Sequence, residues 1–382
     1  MWIMILSLML VAMQAAAAPR IEWHHTYRGN GESDCRAVLQ ADDGGFFVVG
    51  TTGRARPDFY RMLADVWLIR TNAQGDSLWS RTYGSAELDE CSFVLPMKDR
   101  TFVLGGRTQN AIVDGSQITD GWLLRVGANG DSLWSGRIGG EDSEDLICVS
   151  HTPDGGYIFG GNLSWYGSEY MDRGWDTDVW LVKTDSAFQV EWTRKYGGDY
   201  ADYCRGVLPT ENGYLAACWS QSFGGSGTWL LRMDARGDSI ESRFFDGNVY
   251  SLLPTIDGGF VLAGSGGGDF WLHKISAAGD SRWSHTFGGA EYDFCGKAVA
   301  LTDGGYLLLG STHSFASQYS AGWLIRTDAN GDSLWSVVGD FGSLSSFAAV
   351  ELTRDGGFIV AGTTKLEGDS CSALLLVKLS AE

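Results

Sequence analysis

Residues 323–335 read W-L-I-R-T-D-A-N-G-D-S-L-W: an apolar run that opens on Trp, a polar Gly-Asp-Ser turn, and a second run that closes on Trp. The same twelve-residue step recurs at Trp67 and Trp79, Trp122 and Trp134, Trp180 and Trp192, and Trp271 and Trp283, while Trp229 is followed twelve residues later by Glu241. A Gly-containing turn between two β-rich runs predicts a β-hairpin. Six copies of one hairpin indicate a repeat protein.

A second hairpin is predicted between successive copies of the first. Its clearest form is the pair of runs at 298–302 and 306–311, which the turn Asp303-Gly304-Gly305 separates. Equivalent turns begin at Asp43, Asp154, Asp257 and Asp355, with degraded forms at Asp99 and Asn212. Each repeat therefore contains four strands, and the repeats are spaced 42 to 58 residues apart. This combination is typical of a β-propeller blade.

The two ends of the chain complete the count of blades. The run at 373–379 resembles the first half of a Trp hairpin, and the run at 21–27 resembles its missing second half. Joining them closes the ring, which leaves no unpaired strand edge. We therefore predict an all-β fold, a single seven-bladed β-propeller over residues 19–382, with four antiparallel strands per blade and the last blade closed by the N-terminal strand.

Residues 1–18 have the pattern of a secretory signal peptide. They carry no charge, and the apolar run at 3–13 is followed by four consecutive Ala at 15–18. The run is too short for a typical membrane span. We expect it to be removed, leaving a mature chain without a membrane span in the secreted, periplasmic or cell-envelope space. A retained N-terminal anchor is the alternative.

The net charge of −19 bears on possible partners. A strongly acidic surface repels phosphate backbones, so we do not expect nucleic acid to bind. We expect the protein to be a monomer.

Antiparallel strand order sorts the loops into two faces. Both tight turns of each repeat fall on one face, and the connections between blades and between second and third strands fall on the other, here called the loop face. The loop face carries the variation in length: segments 51–65, 107–121, 162–178 and 312–322 are long, whereas 265–269 is short. Loops on a rigid scaffold commonly carry function, so we predict the binding site there.

The longest loop supplies most of the candidate binding residues. Together with one Trp on a later strand-like run, the aromatic and acidic residues that the repeat does not explain are Trp165, Tyr166, Glu169, Tyr170, Asp172, Trp175, Asp176 and Trp219. Aromatic rings can stack on a sugar, and neighbouring carboxylates can accept hydrogen bonds from its hydroxyls, which favours a platform for a glycan or a peptide. The alternative is a long loop that packs on itself.

Acidic residues also recur at the start of the predicted innermost strand, namely Asp34, Asp89, Asp145, Asp202 and Asp293. Arranged around an axis, they would line a channel mouth that attracts cations. The alternative is that each Asp caps a turn by accepting hydrogen bonds from backbone amides.

The remaining repeated residues favour structural roles. We expect all twelve repeat Trp to be core residues between blades. Four cysteines recur at one repeat position, Cys35, Cys91, Cys204 and Cys295; they fit either a small packed residue or a ring of thiols that binds a soft metal. No zinc pair, complete calcium loop or phosphate-binding loop is present in the sequence, so we predict no metal and no cofactor.

The repeat W-L-x-R/K-T-D-A-x-G-D-S-L-W-S-x-x-Y-G-G, followed by T-x-D-G-G-Y/F, resembles a group of uncharacterised secreted β-propeller repeat proteins of bacteria and archaea. The resemblance implies an extracellular or envelope location and no defined reaction. The repeat is less similar to the tryptophan-docked repeats of quinoprotein dehydrogenases. Those enzymes usually have eight blades, so a quinone cofactor is not expected in a seven-bladed chain.

The sequence leaves three functions open. The first is a secreted, non-catalytic propeller that binds a ligand, or a protein, peptide or glycan partner, through its loop face. The second is an envelope carbohydrate-active enzyme, a hydrolase or lyase, that uses Glu169, Asp172, Asp176 or Asp178 as acid and base. The third is a structural surface protein without a discrete site.

Overall fold

A computed structural model describes residues 18–53, 63–113, 116–164, 177–223 and 225–382. The strands of each blade are numbered from the axis outward. The innermost, first strands are β2 (Ser33–Gln40), β6 (Asp89–Pro96), β10 (Ser143–His151), β14 (Asp202–Thr210), β18 (Asn248–Pro254), β22 (Asp293–Ala300) and β26 (Leu344–Leu352). The second strands are β3 (Phe46–Gly53), β7 (Phe102–Val113), β11 (Tyr157–Ser164), β15 (Gly213–Ser220), β19 (Phe260–Gly266), β23 (Tyr306–Thr312) and β27 (Phe358–Lys365).

The outer half of each blade is the Trp hairpin. Its third strands are β4 (Ala64–Thr71), β8 (Ser116–Val126), β12 (Thr177–Thr184), β16 (Gly227–Asp234), β20 (Asp269–Ile275), β24 (Ala321–Thr327) and β28 (Ala373–Leu379). Its fourth, outermost strands are β5 (Ser77–Tyr83), β9 (Ser132–Ile138), β13 (Val190–Tyr196), β17 (Ser239–Phe245), β21 (Ser281–Phe287), β25 (Ser333–Gly339) and β1 (Ile21–Tyr27). Seven four-stranded antiparallel sheets result, which confirms the predicted fold class.

The seventh blade joins the two ends of the chain. Its strand order is β26-β27-β28-β1, and β1 pairs antiparallel with β28 from Ile21 opposite Leu379 to Tyr27 opposite Leu374. The first strands of blades 7 and 1, β26 and β2, also contact each other. The predicted closure of the last blade by the N-terminal strand is therefore confirmed.

Burial follows from the stacking of blades around the axis. Every residue of β4, β12 and β28 is buried, because a middle strand is covered on both faces by neighbouring blades. One such core cluster contains Val48 and Ile69 of blade 1 with Leu374 and Leu376 of blade 7. The outermost strands, such as β5, are mostly exposed.

The repeat Trp residues divide into two structural groups. The six that open the third strand are buried, with 5–9% of their surface exposed. Of the six that close the hairpin, only Trp335 is buried, and Trp134 is 38% exposed. The prediction that all twelve are core residues is therefore wrong for the five closing Trp other than Trp335, which are partly buried or exposed. Those Trp lie on the outermost strand, where solvent reaches one side of the ring.

An ion pair joins the two hairpins within most blades. The basic residue near the end of the third strand contacts the Asp of the Asp-Gly-Gly turn, as in Lys183 with Asp154 at 2.8 Å and Lys274 with Asp257 at 2.7 Å. The Lys274 ammonium holds the pKa of Asp257 at about 2, helped by the Thr255 hydroxyl.

Across the described ranges, no helix is long and apolar enough to cross a membrane.

Candidate functional site at the channel mouth

All seven first strands contain a β-bulge at the same place, where two residues oppose one residue of the second strand. In blade 1 the bulge follows Cys35, which is buried between blades, and the residues on either side of Cys35 are partly exposed. Because first strands of neighbouring blades contact one another around the axis, these partly exposed positions face a central channel.

Two channel-facing positions recur in every blade. The position before the Cys-equivalent residue holds Asp34, Glu90, Asp145, Tyr203, Asn248, Phe294 and Ser346. The bulge position holds Arg36, Ser92, Ile147, Arg205, Tyr250, Gly296 and Ala348. Each first strand starts at the connection from the preceding blade, so both positions lie toward the loop-face end of the channel.

Blades 4 and 5 form an aromatic wall at this mouth. The ring centroids of Tyr203 and Trp219 lie 5.7 Å apart at an interplanar angle of 31°. The Trp219 indole Nε1 donates a hydrogen bond of 2.8 Å to Asn248 Oδ1 on the next blade. The ring of Trp219 is thereby fixed between a stacking partner and a hydrogen-bond acceptor.

Arg205 extends this wall toward blade 6. Its guanidinium carbon lies 5.4 Å from the ring centroid of Tyr203 and 5.3 Å from that of Tyr250, within the range of cation–π contacts. Phe294 of blade 6 packs edge-on against Tyr250, with ring centroids 4.9 Å apart. A continuous surface of aromatic rings and one guanidinium therefore spans three blades.

Carboxylates occupy the opposite side of the mouth, on blades 1 to 3. Asp34 pairs with Arg36 at 2.7 Å, and Glu90 pairs with Arg107 at 2.5 Å. Burial raises the pKa of Asp145, and the nearby Arg107 acts in the opposite direction. The mouth thus presents acceptor groups facing an aromatic and cationic wall.

The five predicted acidic residues occupy two different positions. Asp34 and Asp145 face the channel, whereas Asp89, Asp202 and Asp293 lie one residue earlier and are buried. The buried group accepts backbone hydrogen bonds from the connection before its strand, for example from the Gly198 amide to Asp202 at 2.9 Å and from the Gly289 amide to Asp293 at 3.0 Å. These contacts match the turn-capping interpretation for the buried group.

The predicted loop residues Trp165, Tyr166, Glu169, Tyr170, Asp172, Trp175 and Asp176 lie outside the described residues. Trp219 is the one member of that predicted set that the structure describes, and it belongs to the aromatic wall. Asp178, an acid of the enzyme hypothesis, is buried at the start of its strand with the Lys195 ammonium 3.5 Å away.

The repeated cysteines lie in different parts of the core. Cys35, Cys91, Cys204 and Cys295 belong to four separate apolar clusters. Burial raises the pKa of the Cys35, Cys91 and Cys295 thiols to about 12, so these thiols stay protonated. Over the part of the chain that is described, no three His, Cys, Asp or Glu side chains converge as metal ligands.

The sequence-based predictions did not include Tyr203, Arg205, Tyr250 and Phe294. Their signal was present in the repeat: they flank its small buried residue, at two positions whose side chains differ from blade to blade. Aligning the first strands on that buried residue separates the two partly exposed channel positions from the buried, apolar core position.

No protein-family model matches the sequence, and no curated protein matches it. Solved structures share the fold. The chain is similar to the Pan2 WD40 domain of Neurospora crassa, with 9% identity, a TM-score of 0.50, and coverage of 93% of this chain and 99% of that one. A protein from Lactobacillus plantarum has 10% identity and a TM-score of 0.50, with 80% of this chain and 85% of that one covered.

A protein of unknown function from Bacteroides caccae is 14% identical, with a TM-score of 0.46 and coverage of 78% of this chain and 96% of that one. At such identities the similarity concerns the propeller fold alone. The resemblance to secreted repeat proteins of bacteria and archaea stays a prediction.

Proposed function

We propose that this protein is a secreted, non-catalytic propeller that binds a glycan through its loop face, at the mouth of the central channel. The observation that carries the proposal is the wall formed by Trp219, Tyr203, Arg205 and Tyr250. Aromatic faces stack against the C–H groups of a sugar ring, and their rigidity limits the entropy lost on binding.

The opposite side of the mouth complements such a ligand. Carboxylates such as Asp34 and Glu90 accept hydrogen bonds from sugar hydroxyls, while the Arg205 guanidinium donates them. The sequence also predicts a binding contribution from the aromatic residues between positions 165 and 176, which lie outside the described residues.

The proposal is tested by glycan-array binding of the wild type and of Trp219→Ala, Trp165→Ala and Trp175→Ala. We expect Trp219→Ala to weaken binding about tenfold, which corresponds to about 1.4 kcal/mol. The matched control is Trp134→Ala, which removes a partly exposed Trp from the outermost strand of blade 2 and should keep the wild-type signal. Equal glycan-binding signals from Trp219→Ala and the wild type would show that the aromatic wall is not the binding site.

A further inference from the structure

A cavity lies between blades 4 and 5, away from the channel mouth. The connection between these blades consists of Asp246 and Gly247 alone, whereas residues 288–292 connect blades 5 and 6. With less chain to fill the junction, a cleft of about 550 Å³ remains between the outermost strand of blade 4 and the outer hairpin of blade 5. This volume lies in the range of small-molecule sites.

The repeat sequence changes at the same junction. The residue that follows Trp-Leu in the third strand is aliphatic in the other Trp hairpins, as Ile69, Leu124, Val182, Leu231 and Ile325, but it is His273 in blade 5. His273 lines the cleft, and its Nε2 has no hydrogen-bond partner in the described part of the chain. A buried polar atom without a partner costs free energy unless something binds to it.

Aromatic rings surround His273. Its ring centroid lies 5.3 Å from that of Trp271, nearly parallel to it, and 5.1 Å from that of Phe245. Burial lowers the pKa of His273, so the imidazole is neutral at pH 7. A neutral imidazole adds no positive charge to the cleft.

Two half-exposed rings form the entrance. Phe223 and Phe244 are 46% and 47% exposed, and both line the cleft. Phe244 is parallel to the buried Trp229 ring at 6.3 Å, and Phe223 lies 4.8 Å from Trp229. Packing on a buried Trp fixes both rings in place, so the entrance is preorganised.

The charges around the cleft are of one sign. Asp246 is among the eleven residues that line it, and none of the eleven is Lys or Arg. Asp246 forms no salt bridge within the described ranges, and the whole chain carries a net charge of −19. The faces of aromatic rings also carry partial negative charge, so the aromatic walls and Asp246 both attract cations.

We propose that the cleft between blades 4 and 5 binds a small organic cation, an ammonium group on a compact apolar body. The faces of Phe223 and Phe244 hold the ammonium and its alkyl groups, Asp246 pairs with the charge, and the ring of His273 forms part of the inner wall. The volume of about 550 Å³ is in the range of small-molecule sites, which favours a free small molecule over a single side chain of a folded partner. This inference does not depend on glycan binding at the channel mouth.

Isothermal titration calorimetry with choline tests the inference, and 3,3-dimethyl-1-butanol serves as the uncharged ligand of matching shape. We expect choline to bind at least tenfold more tightly than the alcohol. The substitutions Asp246→Asn and Phe244→Ala should each weaken choline binding about tenfold, while glycan-array signals stay unchanged. Equal affinity for choline and the alcohol would overturn the inference.

Two further variants guard against loss of folding and non-specific effects. His273→Leu restores the aliphatic type of the other blades and so keeps the fold, yet it should weaken choline binding at least threefold. The matched control is Phe315→Ala in blade 6. Phe315 is half-exposed and its ring lies 5.1 Å from that of Trp323, much as the Phe223 ring lies 4.8 Å from that of Trp229. The proposal would be contradicted if Asp246→Asn, Phe244→Ala and His273→Leu all bound choline within twofold of the wild-type affinity. It would also be contradicted if the protein bound a lysine peptide but not choline.

Discussion

The indole ring of Trp79, on the outermost strand of blade 1, lies against Gly130 in the Gly-Asp-Ser turn of blade 2. A Cβ atom on Gly130 would come within 2.7 Å of Cη2 and Cζ3 of that ring. The same contact recurs from blade to blade between Trp23 and Gly75, Trp192 and Gly237, and Trp283 and Gly331. The closing Trp therefore docks each blade onto the next, which explains why it recurs although it is only partly buried.

Gly130→Ala should destabilise the protein more than an equivalent change elsewhere. Gly130 has a φ of 81°, so any side chain there is strained, and the new methyl group must also displace Trp79. We expect a loss of about 2–4 kcal/mol in the free energy of unfolding, from backbone strain together with overpacking. Urea unfolding followed by circular dichroism measures it.

The matched control is Gly155→Ala, in an Asp-Gly-Gly turn of blade 3. Gly155 has a similar φ of 87°, but a Cβ atom there would meet nothing within 4 Å. Gly155→Ala should therefore report backbone strain alone, about 1–2 kcal/mol. Equal losses for the two variants would show that the Trp79 contact does not stabilise the junction.

Six blades have a turn in the Trp hairpin, and two of the six junctions at these turns depart from the docking pattern in a way that is visible in the sequence. In blade 3, Phe188 replaces the turn Gly and stacks on Trp134 with ring centroids 5.7 Å apart, at a φ of 63°. In blade 4, Glu241 replaces the closing Trp, and Arg243 covers Gly279 instead. Arg243 also forms an ion pair with Asp280 at 2.7 Å.

The number of blades could be predicted from the sequence because the strand period and the turns repeat with every blade. The docking role of residues such as Trp79 could not, because periodicity shows that a ring recurs but not which neighbour covers it. The channel wall was missed for a related reason. Tyr203 and Arg205 flank the buried Cys204, and strand alternation places both on the face opposite to it, but the sequence alone does not show that this face borders a channel. His273 could have been found as a break in the repeat.

The buried carboxyl group of Glu144 should cause the free energy of unfolding to fall as the pH rises from 4.5 to about 7. Burial raises its pKa from 4.5 to about 7, so between these values the folded protein binds more protons than the unfolded chain. Its stabilising contribution is present below pH 4.5 and is lost as the pH rises toward 7. Glu144→Gln should thus be more stable than wild type at pH 8, on the order of 2 kcal/mol, and the difference should vanish near pH 4. Urea unfolding across this pH range measures it.

Asp293 occupies the equivalent position in blade 6 and serves as the control with the opposite sign. Its carboxylate accepts hydrogen bonds from the Gly289 amide at 3.0 Å and the Ser314 hydroxyl at 2.8 Å. In Asp293→Asn, the side-chain amide cannot accept both hydrogen bonds, because its NH2 group is itself a donor. The substitution should therefore lower the free energy of unfolding at pH 8 by about 1–3 kcal/mol. A Glu144→Gln variant that is destabilised like Asp293→Asn at pH 8 would refute the assigned pKa shift.

Deleting residues 20–28 should abolish cooperative unfolding, because the deletion removes the whole of β1. Leu374 and Leu376 of β28 would then lose their strand partner, and Gly75 of blade 1 would lose the Trp23 ring. The ring would be left with an open, apolar edge. Thermal unfolding followed by circular dichroism measures the effect, with a chain that begins at residue 18 as the control. A truncated protein with one sharp transition at the control's midpoint would show that strand closure does not hold the propeller together.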